Sequence, residues 1–298
     1  MEGELFEALY AIVGQEAKHH PRPKYAQFTD AVILLVFFWA ALHDRPIRWA
    51  CQPGHWPATM QWMTLPSEAT MSRRLKTLSC CTLLAQLYYR VAAVMGSGLC
   101  LCWRVDTKPL VVSGFSKDRD ARRGYATGGL ARGYKLAAAW GRGLVPDPLL
   151  LASLNVSDQQ CGIELIDRLT QNGSNATGYL LADATHETNP LHWHAMTHGF
   201  QLLAKRKAPG TGLGHGKHCP ARLRCIELLE SDAPNPFGRE LYGLRGDIER
   251  DLAHLCNFGG GLQSLPSWVR RPRRVARWVI AKLIILALRQ CQIKGLAA

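Results

Sequence analysis

Between residues 98 and 204 the chain falls into short apolar runs separated by Gly, Asp and Asn, and this texture constrains the fold more than any other feature. Residues 99–105, 110–112, 135–140, 149–154, 179–181 and 200–204 have the length and composition of strands. Residues 158–169 carry Cys161, Ile163, Leu165, Ile166 and Leu169 at near-helical spacing and read as a helix, and 189–198 reads as a shorter one. Several strands come first, and then helix and strand alternate. That order predicts an α/β domain on a mixed sheet flanked by helices.

The first ninety or so residues look helical instead. In the stretch from Leu65 to Lys76, Ser67 follows a proline and is placed to cap a helix whose Ala69, Ser72, Arg73 and Lys76 share a face. Small, hydroxyl and basic side chains on one face suit the recognition helix of a helix-turn-helix, expected here around 65–77, with Arg73 and Arg74 as DNA contacts. A solvated basic helix has the same pattern. The expected division is therefore a helical DNA-binding region, 1–95, and a sheet-based domain, 96–298, that includes a basic C-terminal helix.

Charge points to the partner. With 36 Lys+Arg against 23 Asp+Glu the chain carries a formal +13, which calls for a polyanion. The 47% hydrophobic content is that of a packed protein, so a disordered basic tail is excluded. Two patches concentrate the excess. Lys205, Arg206 and Lys207 lead into Lys217, Arg222 and Arg224 without an acid, and Arg270, Arg271, Arg273, Arg274, Arg277 and Lys282 lie in a tail with no acid after Asp251. Two such patches flanking one acidic helix predict a phosphate-binding channel.

Ten irregularly spaced cysteines in 298 residues do not make a disulfide scaffold, and they fit buried thiols in a reducing compartment. The acidic start, Met-Glu-Gly-Glu, lacks the basic region of a signal peptide. The apolar runs 31–42 and 278–288 are shorter than the roughly 20 residues that span a bilayer. A cytoplasmic, nucleoid-associated protein without a membrane span is the expectation.

Two carboxylates stand at the ends of expected strands, Asp106 after 99–105 and Asp183 after 179–182. Ligands bind beyond the carboxyl ends of strands in open α/β sheets, although Asp also ends strands simply by taking up a turn. A third acid lies on the segment 242–256, where Ile248, Leu252 and Leu255 mark a helix. Tyr242, Arg245, Glu249 and Cys256 would form a second stripe on that helix. The plainer alternative is an ordinary i,i+4 ion pair between Arg245 and Glu249.

The Tyr-x2-Arg-x3-Glu spacing at Tyr242, Arg245 and Glu249, following Val-Asp106-Thr-Lys-Pro and Leu-Leu-Ala-Asp183, resembles the DDE transposases of bacterial insertion sequences, in the group named for a Tyr-Arg-Glu-Lys signature. Gly133-Tyr134-Lys135-Leu136 and Asn155-Val-Ser-Asp158 are similar to that family's segment between its first two acids, and the likeness covers about residues 65–290. The signature's lysine is Cys256 here, and His186 stands where an aromatic residue often follows the second Asp.

The resemblance implies a ribonuclease H-like sheet, Asp106, Asp183 and Glu249 as catalytic metal ligands, and Tyr242 and Arg245 on DNA phosphates. It further implies a homodimer on double-stranded DNA that cleaves transposon ends and joins the freed 3′-hydroxyl to target DNA. Clustered carboxylates repel one another unless a cation neutralises them, and hard oxygen ligands favour two Mg²⁺ ions, with Mn²⁺ able to substitute. A degenerate transposase that only binds DNA, and a nuclease of the same fold without strand transfer, are the alternatives. Lys205, Arg206, Lys207, Arg270, Arg271, Arg273 and Arg274 complete the expected DNA contacts.

His215, His218, Cys219 and Cys225 match no common zinc spacing. The Gly-rich stretch 124–133 lacks a phosphate-loop lysine and suggests a hairpin near DNA. His192, His194 and His198 lack the glutamate of a metalloprotease helix, which favours a core or surface role.

Overall fold

A computed structural model describes residues 2–22, 24–60, 64–96, 100–171, 177–230, 236–257, 261–262 and 264–293. In chain order the elements are helices α1 (Glu2–Ala17), α2 (Asp30–Leu42), α3 (Ile47–Ala50), α4 (Glu68–Arg74) and α5 (Leu78–Gly96), then strands β1 (Cys102–Val111), β2 (Arg122–Ala126), β3 (Gly129–Trp140) and β4 (Leu149–Ser153). They continue with α6 (Asp158–Gln171), β5 (Gly178–Ala182), α7 (Asn189–Thr197), β6 (Phe200–Ala204), α8 (Pro220–Glu230), α9 (Phe237–Gly243), α10 (Gly246–Cys256) and α11 (Pro272–Ile293).

The chain divides into two compact units, one formed by residues 1–95 and 254–298, the other by 96–253. The expected boundary at 95/96 coincides with this division, but the C-terminal helix does not group as expected. α11 belongs to the helical unit, where it packs on α1 and α2. Its sequence explains why: Val275, Trp278, Val279, Ala281 and residues 283–287 are all buried, too much apolar surface for a basic helix lying free. Lys282, read from sequence as part of the basic tail, is buried among them and bonds to Ala41 O and Asp44.

The helical unit is built around α2, whose residues from Ile33 to Leu42 are all buried and whose start is capped by Thr29. Trp39 stacks on Trp56 at 4.9 Å, and Phe6 meets both rings edge-on. α4 begins as expected, with Ser67 accepting from the Thr70 amide, and the turn at 75–77 leads into α5. Ala69, Arg73 and Lys76 are exposed, whereas Arg74 turns inward to Asp30 at 2.6 Å and to Phe28 O. Arg74 is therefore a structural cation, and its expected place among DNA contacts is corrected. Among the described residues one helix segment, Leu78–Met95, is long and apolar enough to cross a bilayer. Its buried residues Cys80, Leu83, Leu84, Leu87, Tyr88 and Val91 fall on one stripe, the pattern of a helix packed on one side.

The second unit is a mixed α/β fold. Its six-stranded sheet runs β2-β3-β1-β5-β6, with β4 on the same edge of the long β3 as β2. β1, β5 and β6 are parallel, and the β2–β3 and β3–β4 pairs are antiparallel, as is β1–β3. The Gly-rich stretch forms the β2–β3 hairpin, where Gly128 and Gly129 adopt φ of 96° and 121°, values that L side chains rarely take. One face of the sheet, through Val105, Ala137, Leu180 and Leu202, packs on α6 and α7. The other face packs on α8 and α9 through Leu181 and Leu203, and on α10 through Ala138 and Trp140.

Asp30 supplies a direct test of this packing. Burial alone would raise its carboxyl pKa, but hydrogen bonds from Ser79 and Arg74 and the Arg74 charge hold it below the ordinary value. A lowered native pKa stabilises the fold above the unfolded value and is lost as pH falls through the native one. Arg74→Ala leaves the buried Asp30 carboxylate with Ser79 and His20 as its remaining partners and is expected to cost about 3 kcal/mol in denaturant melts at pH 7, with a smaller gap in acid. The exposed Arg73→Ala should stay within about 0.5 kcal/mol.

Candidate functional site

The site follows from strand register. β1 and β5 pair in parallel from Cys102↔Tyr179 to Arg104↔Leu181, and β5 and β6 end at Ala182↔Ala204. Carried one pleat further, Asp106 lies opposite Asp183, and Asp183 lies one residue beyond the last β5–β6 pair, in register with Lys205. Alternation puts all three on the face that carries Leu181 and Leu203, the side of α8, α9 and α10.

Asp106 does not end its strand, as the sequence reading expects. β1 continues to Val111 against β3, joining the two runs 99–105 and 110–112 into one strand, while residue 99 lies outside the described residues. Pro109 allows this because the Val112 amide bonds to Arg132 O, so by antiparallel alternation the N–H missing at Pro109 falls on the side away from β3. Asp106 thus stands beside the carboxyl end of β5, at the edge where the parallel strands end.

The helix expected over 242–256 is two helices. α9 ends at Gly243, Leu244 and Arg245 turn, and α10 starts at Gly246; glycines on both sides of the turn weaken a continuous helix by roughly 1 kcal/mol each. Tyr242 and Glu249 therefore belong to different helices, with Arg245 at their junction. Tyr242 packs on the sheet, its hydroxyl donating to Ala182 O at 3.1 Å, and the Lys205 ammonium lies 5.1 Å from its ring centre. Burial pushes the Tyr242 phenol up. α10 is seated by Ile248 against Ala138 and Trp140, and by Arg104, which meets Asp251 at 3.0 Å and Asp247 at 3.8 Å.

Arg245 links the acids, 3.8 Å from Asp106 and 3.6 Å from Glu249. Glu249 is 71% exposed, and Arg245 Nε is buried without a partner. The three carboxylates lie along one edge but do not bring one oxygen each within 4.8 Å of one another; among the described residues only Asp167, His194 and His198 bring one ligand atom each that close.

Asp106 and Asp183 occupy opposite electrostatic situations. Burial, reinforced by the Asp183 charge, raises Asp106 above the carboxylate range, against the Thr107 amide and Arg245, which pull it down. Burial also acts to raise Asp183, but hydrogen bonds from His186 at 2.7 Å and from Thr185, with the His186 charge, hold it far below that range. His186 is fully buried with Nε2 unpartnered. Read from sequence as a departure from a family pattern, it is the residue that fixes Asp183; Asp-x-x-His just after a strand is the signal that indicates it. Behind Asp106, Thr107 and Lys135 both bond to Asp158, at 2.9 and 2.6 Å, and Lys135 also reaches Val156 O.

The expected basic contacts divide. Lys205 and Lys207 are exposed, but Arg206 is engaged bidentately by Glu230 and also reaches Thr211 O, so it braces the loop after β6. A polar pocket of about 270 Å³ beside Asp183 is lined by Thr185, Glu187, Arg206, Lys207 and Arg222. Arg271, Arg273 and Arg274 are exposed and Arg270 half-buried in the helical unit. On the hairpin, Arg122 and Arg123 are exposed, whereas Arg132 is occupied by Ser116, Asp118 and Ala121 carbonyls. Cys219 and Cys225 are buried, Cys225 against Ala204, and His215 and His218 are not gathered with them within metal-binding reach.

No family model matches the chain, and no curated protein shows significant similarity to it.

A carboxylate whose folded pKa is raised destabilises the fold once pH climbs through that value. Asp106→Asn is therefore expected to raise the melting temperature at pH 7 by on the order of a few degrees. The gain should shrink as pH falls through the raised native pKa, where the unaltered side chain takes up its proton. Equal melting at pH 7 would contradict the electrostatics described.

Proposed function

We propose that this chain is a DDE transposase, cutting DNA at transposon ends and joining a 3′-hydroxyl to target DNA. The observation that carries the reading is the register that sets Asp106 beside Asp183, with Arg245 tying Asp106 to Glu249. The strand order β4-β3-β1-β5-β6, three antiparallel strands followed by two parallel ones, supports a ribonuclease H-like sheet. The formal +13 supports a DNA partner.

The donor chemistry fits a hard divalent cation, for Asp106 and Asp183 offer carboxylate oxygens on adjacent strands, and burial, reinforced by the Asp183 charge, raises Asp106. Asp106 and Asp183 would hold Mg²⁺ or Mn²⁺, with Glu249 completing the shell once Arg245 withdraws; the ions would supply positive charge to the reacting phosphate and its oxygens. The chain's own residues supply the rest. Arg245 is placed to exchange its carboxylates for a DNA phosphate, which it can grip with two parallel N–H bonds. Tyr242, locked to Ala182, offers a rigid floor under Lys205, and Lys205 and Lys207 present charge beside Asp183. His186 holds the Asp183 carboxylate in one orientation. In the helical unit, exposed Arg73 with Arg270, Arg271, Arg273 and Arg274 would hold the duplex, as a homodimer bringing two ends together.

The test is cleavage of DNA bearing the sequences that flank the coding region, with Mg²⁺ and with EDTA. Unaltered protein should nick it only with metal, and Asp183→Ala and Glu249→Gln should lose at least about 100-fold in rate while still binding. Cleavage that survives in both variants refutes the reading. Tight binding with no cleavage in any protein would favour a DNA-binding descendant, the outcome for which the Arg245 bridge and Cys256 provide a basis.

A further inference from the structure

On the opposite face of the sheet, away from the acids, α6 and α7 carry a cluster with a different chemistry. Asp167 lies on α6, His194 on α7, and His198 just after α7, one turn beyond His194. His194 Nε2 is 2.7 Å and His198 Nε2 3.7 Å from the same oxygen, Asp167 Oδ1, and the two rings lie 4.3 Å apart. Counting nine residues along α6, Asp167 stands roughly 14 Å from Asp158 at the start of that helix.

We propose that Asp167, His194 and His198 form a binding site for a borderline divalent transition ion of the Zn²⁺, Co²⁺ or Ni²⁺ class. Three observations support it. With metal–ligand bonds of about 2.0–2.1 Å, tetrahedral ligands stand roughly 3.3 Å apart, and the two measured separations bracket that value. His198 Nδ1 donates to His194 O at 2.9 Å, which fixes the tautomer and leaves the Nε2 lone pair facing Asp167. Such a backbone-anchored histidine is how metal-ligating imidazoles are usually oriented. Packing of Leu165, Ile166 and Leu169 on Leu191 and Ala195 holds the two helices together beneath the cluster, so the ligands need little ordering.

Two imidazoles and one carboxylate favour these ions over Mg²⁺ and Ca²⁺, whose sites are built from oxygen. The side chains are 24–37% exposed, so an ion can enter from solvent, and three protein ligands leave a position open for water or an exogenous anion. On binding, the proton that His194 Nε2 shares with Asp167 moves to Nδ1, or to solvent when the ring is charged. The site joins α6 to α7 and is independent of the transposase reading.

The experiment uses EDTA-treated full-length protein and Co²⁺ alone as probe, followed by equilibrium dialysis and visible absorption, then displacement by Zn²⁺. One Co²⁺ per chain with d–d bands and no thiolate charge-transfer band is expected. His194→Gln, His198→Gln and Asp167→Asn should each weaken binding at least about 10-fold. Far-UV circular dichroism and metal-free melting of each variant, matched to the unaltered protein, show that the loss is not unfolding; Asp167→Asn preserves side-chain shape should a histidine variant melt early. Unchanged affinity in all three variants, or a thiolate band that marks one of the ten cysteines as ligand, overturns the proposal.

Discussion

The parallel pairing of β1 with β5 is the constraint on which the candidate site rests. Side chains alternate between faces, so a slip of one residue between these strands would carry Asp183 to the face of α6 and α7 while Asp106 stayed with α10. The register is held from both sides of the sheet. Leu180 and Ala182 are buried with Val105 on one face, and Leu181 is buried with Leu203 and Cys225 on the other. A strand buried on both faces has no tolerated slip, because any shift would exchange its apolar partners and bring a carboxylate into the core.

That rigidity imposes an electrostatic cost at the sheet edge. Two carboxylates on adjacent strands repel, and the fold answers each differently. Asp183 is neutralised locally, by His186 and Thr185 from its own turn, whereas Asp106 has a backbone amide and the more distant charges of Arg245 and His186 against its burial. The asymmetry concentrates the unfavourable energy on one residue, and Asp106→Asn addresses that residue. Such locally destabilised groups are expected where function and stability compete.

Much of the sheet was legible because its strands are short, apolar and separated by turn residues, and period-2 burial leaves that trace. Asp183 was legible as a strand-end carboxylate, whereas Asp106, read the same way, lies within β1 and faces Asp183 only through the β1–β5 register. What escaped were features decided by tertiary context. Residues 99–105 and 110–112 read as two strands because Pro109 interrupts the pattern, and only the missing neighbour beyond Arg104 lets one strand run through it. Arg74, Arg206 and Lys282 read as surface charge, since a sequence counts a cation without showing the carboxylate or carbonyl that takes it inward. The continuous helix over 242–256 failed at Gly243 and Gly246, where apolar spacing persists across a break because both helices rest on one sheet face.

That break determines how Glu249 is positioned. On one straight helix its place would follow from Tyr242 by helical geometry. With a turn between them, it depends on what seats α10: Ile248 against Ala138 and Trp140, and Arg104 reaching from the middle of β1 to Asp251. Arg104 stands two residues before Asp106 on the same face, so the strand that carries the first acid also anchors the helix that carries the third. The two acids are thereby referenced to one backbone segment, and Arg245, at the hinge between the helices, occupies the space between their carboxylates. A guanidinium there partly neutralises both carboxylates. Its unpartnered buried Nε marks that arrangement as incompletely satisfied, since a buried donor without a partner costs about 1–3 kcal/mol. The pairing of Arg245 with two carboxylates at 3.6 and 3.8 Å is therefore a loose one, and on the proposed function it is the contact that a DNA phosphate, offering oxygens in the guanidinium plane, would replace.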